Sequence, residues 1–115
     1  MAHILVVDDE PLIAMLTEDW LLELGHTVVG PAHDLSTGLA LAQTNIDAAI
    51  IDVTLGKDTA YPIAKILAAK GVPFAFATGH APARLSPDHK SAAILEKPFE
   101  FDDFRRVVQS MLAAR

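Results

Sequence analysis

The chain has 115 residues, 51% hydrophobic and 21% charged, which suits one globular domain with a single core and excludes a disordered tail-like protein. The absence of cysteine excludes disulfides and thiolate metal sites, and the net charge of −6, nine Lys+Arg against fifteen Asp+Glu, argues against non-specific nucleic-acid binding. No apolar stretch approaches membrane-spanning length and no charged-then-apolar leader precedes the first apolar run, so no membrane partner and a cytoplasmic location are expected.

The first apolar run, residues 3–7, reads as a strand and stops at Asp8-Asp9. Residues 11–24 follow as a helix with Pro11 at its N-terminus, Leu12/Ile13, Leu16, Trp20 and Leu24 on one face, and Gly25 as its stop. A second strand is expected over 27–31, and a helix over 35–44 with Asp34 or Ser36 as cap. The third strand, 48–52, ends in Asp52 and leads through a loop, Val53-Thr54-Leu55-Gly56-Lys57, into a helix over 58–70 closed by Gly71. A fourth strand, 73–78, alternates large and small residues and ends at Thr78. Residues 79–92 hold Gly79, Pro82 and Pro87 and lack an apolar stripe, so only a short or mobile helix is expected there. The last strand, 93–96, precedes Lys97-Pro98, and a helix over 100–113 carries the stripe Phe101, Phe104, Val108 and Met111. Short continuous apolar runs alternating with helices predict an α/β fold with a parallel sheet covered on both faces and right-handed crossovers.

If these runs are neighbouring parallel strands, Asp8, Asp9, Asp52, Thr78 and Lys97 all meet at one sheet edge, where open α/β sheets bind ligands. Clustered carboxylates repel one another and call for a cation, which points to divalent-metal chemistry on a phosphorylated ligand. Each residue also has a plainer reading. Asp9 alone would be a helix cap, Asp52 a turn residue, Thr78 a strand boundary and Lys97 a solvated charge. Together, an acidic pair suits Mg²⁺, a strand-end carboxylate can act as a nucleophile towards phosphorus, and a lysine supplies a counter-ion and phosphate contact. A cis bond at Lys97-Pro98 would aim the ammonium into the cleft. The five histidines show no zinc-ligand spacing, and His80 at the rim reads first as a surface loop residue.

These residues, from Val6-Val7-Asp8-Asp9-Glu10 through Lys97-Pro98-Phe99 to the last helix, resemble a bacterial response-regulator receiver domain over the whole chain. Val72-Pro73-Phe74-Ala75-Phe76-Ala77-Thr78-Gly79-His80 further resembles the FAT GUY subgroup, which is linked to HWE-type histidine kinases. The resemblance implies a flavodoxin-like (βα)5 fold, a doubly wound five-stranded parallel sheet of order 2-1-3-4-5, the order given for this type of fold in general accounts of α/β proteins. It implies Asp52 as phosphoacceptor, and Mg²⁺ held by Asp9, Asp52 and the backbone carbonyl of Thr54, with Asp8 acting through water. Thr78 and Lys97 would contact the phosphoryl group. The donor would be a sensor histidine kinase or a histidine phosphotransfer protein. The protein would catalyse only its own phosphorylation and dephosphorylation, and would signal through a protein partner or act as relay or sink. The family's contact surface is the last helix and fifth strand.

The chain departs from the usual pattern at two places. Ile94 stands where most receivers carry an aromatic, which leaves a threonine–aromatic switch without its ring and suggests that phosphorylation orders residues 79–92 instead. Leu55-Gly56 replaces the usual Leu-Pro, and the glycine is expected to free the backbone near Thr54. By resemblance, the places of Thr54 and His80 tend to influence acyl-phosphate lifetime. A pseudo-receiver and an aspartyl-nucleophile phosphatase are the competing functions. The second lacks an acid two residues after the nucleophile, and a nucleotide-binding module lacks the glycines needed after the first strand.

Overall fold

Apolar residues at successive positions of β1 (His3–Val7) point to opposite sides, and both sides are buried. Leu5 and Val7 join one core cluster with Ile51, Ile63, Leu67 and Phe76; Ile4 and Val6 join another with Leu21, Ile50, Phe104 and Val108. Such two-sided burial is the signature of a parallel strand between helical layers. The computed structural model describes residues 1–79 and 93–113. The expected helix over 79–92, with its proposed ordering, and His80 lie outside the described residues, apart from Gly79.

The remaining elements are α1 (Pro11–Glu23), β2 (Thr27–Ala32), α2 (Leu35–Ala42), β3 (Ala48–Asp52), β4 (Thr54–Leu55), β5 (Asp58–Thr59), α3 (Tyr61–Ala69), β6 (Phe74–Thr78), β7 (Ala93–Glu96) and α4 (Phe101–Ala113). Five strands form a parallel sheet in the order β2-β1-β3-β6-β7. Counting only these five, the order is the 2-1-3-4-5 expected for a flavodoxin-like fold.

Local chemistry explains most boundaries. Asp34 caps α2 by accepting from the Thr37 N–H at 2.7 Å. Gly25 and Gly71 follow the ends of α1 and α3 with φ of +88° and +71°. In β2 the pairing to β1 slips between Leu5↔Val29 and Val7↔Ala32. Gly30 sits at this bulge with φ +97°, and an added Cβ there would lie 2.8 Å from the Ala32 nitrogen. The strand therefore reaches Ala32, one residue past the expected end.

Two expectations need correction. Residues 53–57 are not a loop running into a helix that starts at 58. β4 and β5 pair as an antiparallel hairpin, Thr54↔Thr59 and Leu55↔Asp58, and α3 begins only at Tyr61. Leu55 is buried beneath it, which anchors a segment too short to show a strand periodicity. The core face of α1 also differs. Ala14, Thr17 and Leu21 face the sheet, while Leu12, Met15, Leu16 and Leu22 are exposed. Small residues let the helix approach closely, and the Thr17 hydroxyl is satisfied by donating to the Ile13 carbonyl at 2.9 Å. Trp20 turns sideways and meets Phe99, Phe101 and Phe104 edge-on, with ring centroids 5.3–5.9 Å apart, tying α1 to α4.

Candidate phosphoacceptor and metal site

Parallel alignment brings the carboxyl ends of β1, β3, β6 and β7 side by side, and the sequence places a polar or charged residue at each. Asp8 is 3% exposed, Asp52 7% and Thr78 1%, although each is a polar residue following an apolar strand. They border or flank a cleft of about 340 Å³ lined by Asp9, Glu10, Asp52, Thr54, Thr78, Gly79 and Lys97. All residues expected at the site therefore converge.

The Lys97 ammonium is the hub. It lies 3.1 Å from Asp52 Oδ2, 3.2 Å from Asp8 Oδ2 and 3.0 Å from Glu10 Oε1. Its backbone N–H donates to the Thr78 carbonyl at 2.8 Å, extending the β6–β7 ladder by one step and fixing where the side chain departs. The Lys97-Pro98 bond is cis.

Backbone amides hold the acids. Asp52 Oδ1 accepts from the Thr54 N–H at 3.2 Å, Asp8 Oδ1 from the Glu10 N–H at 2.9 Å, and Asp9 Oδ2 from the Gly56 N–H at 2.8 Å. Asp9 is thus no helix cap: the capping position of α1 is Glu10, which makes no side-chain capping bond. His33 Nδ1 lies 2.9 Å from the Asp8 carbonyl. A carbonyl only accepts, so the ring carries its hydrogen on that nitrogen.

Burial pushes the Asp52 carboxyl up to about 6, with the negative charge of Asp8 adding to the rise, against the hydrogen bond and charge of Lys97 and the Thr54 amide. Burial by itself would lower Lys97, yet its hydrogen bonds to Glu10 and Asp52 and the charges of Asp52 and Asp8 raise it. One ammonium shared among three carboxylates leaves the group short of positive charge.

The donor set fits a hard divalent cation. Asp8, Asp9, Glu10 and Asp52 each offer a carboxylate oxygen, all within 4.8 Å of one another, with no nitrogen or sulfur among them. Oxygen-only donors suit Mg²⁺. Two participants escaped the sequence reading. Glu10 follows the acidic pair directly and its adjacency was a usable signal. The Gly56 amide is a backbone group and leaves no mark in the residue pattern. In this structure the Gly56 turn is tied to Asp9 by that hydrogen bond.

No protein-family model and no curated protein matches the chain. Solved structures do. The solution structure of SdrG from Sphingomonas melonis Fr1 is 39% identical, covers 97% of each chain and superposes with a TM-score of 0.85. The response regulator TrrA from Thermotoga maritima, in complex with Mg²⁺ and BeF, is 27% identical over 97% of this chain and 100% of that one, with a TM-score of 0.85. The response regulator PhyR from Brucella abortus is 28% identical over 98% of this chain but 48% of its own, with a TM-score of 0.85. With identity at this level over nearly the full length of SdrG, and the acid–lysine cleft where the strand ends meet, the chain belongs to the receiver domains of two-component response regulators.

Proposed function

We propose that this receiver accepts a phosphoryl group on Asp52 from the phosphohistidine of a sensor histidine kinase, of HWE type, or of a histidine phosphotransfer protein. The observation that carries the reading is the placement of Asp52: buried at a strand end, 3.1 Å from the Lys97 ammonium and surrounded by oxygen donors for a cation. An Asp52 carboxylate oxygen forms a bond to phosphorus as the phosphorus–nitrogen bond breaks, giving an acyl phosphate and freeing the imidazole. Lys97 moves from the carboxylates to the phosphoryl oxygens, and the Thr78 hydroxyl, at the adjacent strand end, donates to another. Asp9, Asp52 and the Thr54 carbonyl would hold Mg²⁺, with Asp8 acting through water. The ion neutralises charge that otherwise keeps a phosphoryl dianion out of an acidic cleft. TrrA carries Mg²⁺ and BeF in its structure, which supports the same chemistry here.

The chain thus modifies itself rather than turning over a substrate, and hydrolysis of the acyl phosphate resets it. Its output is a protein partner, or removal of phosphoryl groups from a shared kinase, and its place is the cytoplasm with the kinase's catalytic domain. No described helix is long and apolar enough to cross a membrane. Exposed Leu12, Met15 and Leu16 on α1, the helix that follows Glu10 of the cleft, give a protein donor an apolar surface on which to dock.

Incubation with acetyl phosphate and Mg²⁺, read by intact mass, tests the reading. Wild type should gain one phosphoryl group and Asp52→Asn none. Equal labelling of both would place the acceptor elsewhere, and no labelling of wild type would leave a pseudo-receiver.

A further inference from the structure

The hairpin between β3 and α3 makes a contact that its own pairing does not require. With Leu55 opposite Asp58, Gly56 and Lys57 form a two-residue turn. Gly56 has φ +62° and no non-glycine residue among the described residues, Lys57 included, has positive φ, so only the first central position is left-handed. This is the backbone signature of a type II′ turn, in which the N–H of that first residue faces away from the ladder. The freed N–H donates to Asp9 Oδ2 at 2.8 Å, across 47 positions of sequence.

The hairpin cannot easily drift from this position. Leu55 is buried, the Ala60 N–H donates to the Val53 carbonyl at 2.8 Å, and the Thr54 N–H holds Asp52 Oδ1. One short piece of backbone therefore grips a carboxylate on β3 and another on the loop after β1. A carboxylate that binds a cation through one oxygen is oriented by what its second oxygen meets.

We propose that Gly56 is a positioning residue for metal loading: its backbone N–H, presented by the β4–β5 hairpin, sets the Asp9 carboxylate for a divalent cation. The inference rests on the phosphoacceptor reading, which makes Asp9 a metal ligand. Space is not the reason for glycine here, because an added Cβ would meet nothing within 4 Å. The hand of the turn is the reason, since φ near +60° disfavours most side chains, asparagine being the main exception. Proline at this place would remove both the turn geometry and the donor.

Mg²⁺ titration followed by amide NMR of the ¹⁵N-labelled full chain tests this for wild type, Gly56→Asn and Gly56→Pro. The Asn variant keeps the N–H and should bind within about threefold of wild type. The Pro variant should bind about tenfold more weakly, the lower end of the range typical for loss of a group that orients a metal ligand. A Pro variant that binds like wild type overturns the proposal. A wild type that binds no Mg²⁺ overturns the phosphoacceptor reading as well. Amide exchange in metal-free protein gives a second test that needs no change at Gly56. Asp9→Ala should speed exchange of the Gly56 amide about tenfold and leave the amides of β3 unchanged. Equal Gly56 exchange in both proteins means that the amide does not hold Asp9, and overturns the proposal whatever the Pro variant does.

Discussion

The two ends of the parallel sheet solve opposite problems. At the amino end, polar groups find matched partners. The His3 N–H donates to Asp47 Oδ2 at 2.8 Å, the Ala2 N–H to His26 Nδ1 at 3.2 Å, and Lys70 Nζ to the Ala42 and Thr44 carbonyls, both at 2.7 Å. At the carboxyl end, three carboxylates share one ammonium, and the buried Asp52 has its ionisation opposed by burial. No buried side-chain polar atom among the described residues lacks a hydrogen bond, so the difference is one of charge balance rather than of missing partners. The amino end is built for stability. The carboxyl end carries an electrostatic cost that the proposed cation or phosphoryl group would change, the usual relation between a binding site and the scaffold that carries it.

Removing the shared cation should break the comparison most severely. Lys97→Met leaves Asp8 and Asp52 as buried charges with no counter-ion, and the loss of one partner from such a cluster costs about 3 kcal/mol. Denaturant unfolding in EDTA should show this loss, and millimolar Mg²⁺ should return part of it. A loss that Mg²⁺ does not touch would mean that the carboxylates do not form a cation site.

Asp52→Asn should act in the opposite direction. The folded protein binds the Asp52 proton more tightly than the unfolded chain, because the carboxyl rises from 3.8 to about 6 on folding. Stability therefore falls as pH rises through that window, and above it the ionised group is a net burden. The asparagine variant should melt several degrees higher than wild type at pH 8 without metal, and the gap should close towards pH 4. Thermal melts across pH check both the sign and the window. A variant that is less stable than wild type at pH 8 would show that Lys97 more than offsets the burial.

The amino end should respond without reference to metal. Lys70 reaches from the end of α3 to the carbonyls of Ala42, the last residue of α2, and of Thr44 just beyond it, where a cation also complements the helix dipole. Lys70→Met should cost about 1 kcal/mol. The loss should be equal with and without Mg²⁺, whereas a Mg²⁺-dependent loss would couple the two ends and undo their separation.

The contrast also explains what could be read from the chain. Strand ends at Asp8, Asp52, Thr78 and Lys97 are legible because a continuous apolar run broken by a polar residue is a strong local pattern, and parallel pairing then brings all four together. The inward face of α1 is not legible in the same way. Leu12-Ile13-Ala14-Met15-Leu16 is apolar at every position, so periodicity cannot choose a face, and close packing selected Ala14 and Thr17 over the leucines. The β4–β5 hairpin has two residues per strand, too few for alternation to register. Glu10 and Gly56 join the site through a reach of side chain and a turn of backbone, and both depend on tertiary placement.

The smallest effect is expected at His26, where the amino end itself becomes pH-dependent. Burial, and then the nearby N-terminal charge, lower its pKa from 6.5. The Ala2 N–H donates to Nδ1, which is possible only while that nitrogen keeps its lone pair. Here the unfolded chain binds the proton more readily, so stability rises with pH through the region below and around 6.5 and is lost as pH falls. This slope is opposite in sign to that from Asp52 and overlaps it in pH. A wild-type profile alone would show only their difference. In the Asp52→Asn background the His26 contribution stands by itself, and His26→Gln in that background should flatten the remaining slope between pH 5 and 7. An unchanged slope would assign it to another group, and the pairing of His26 with the Ala2 amide would then carry no measurable proton linkage.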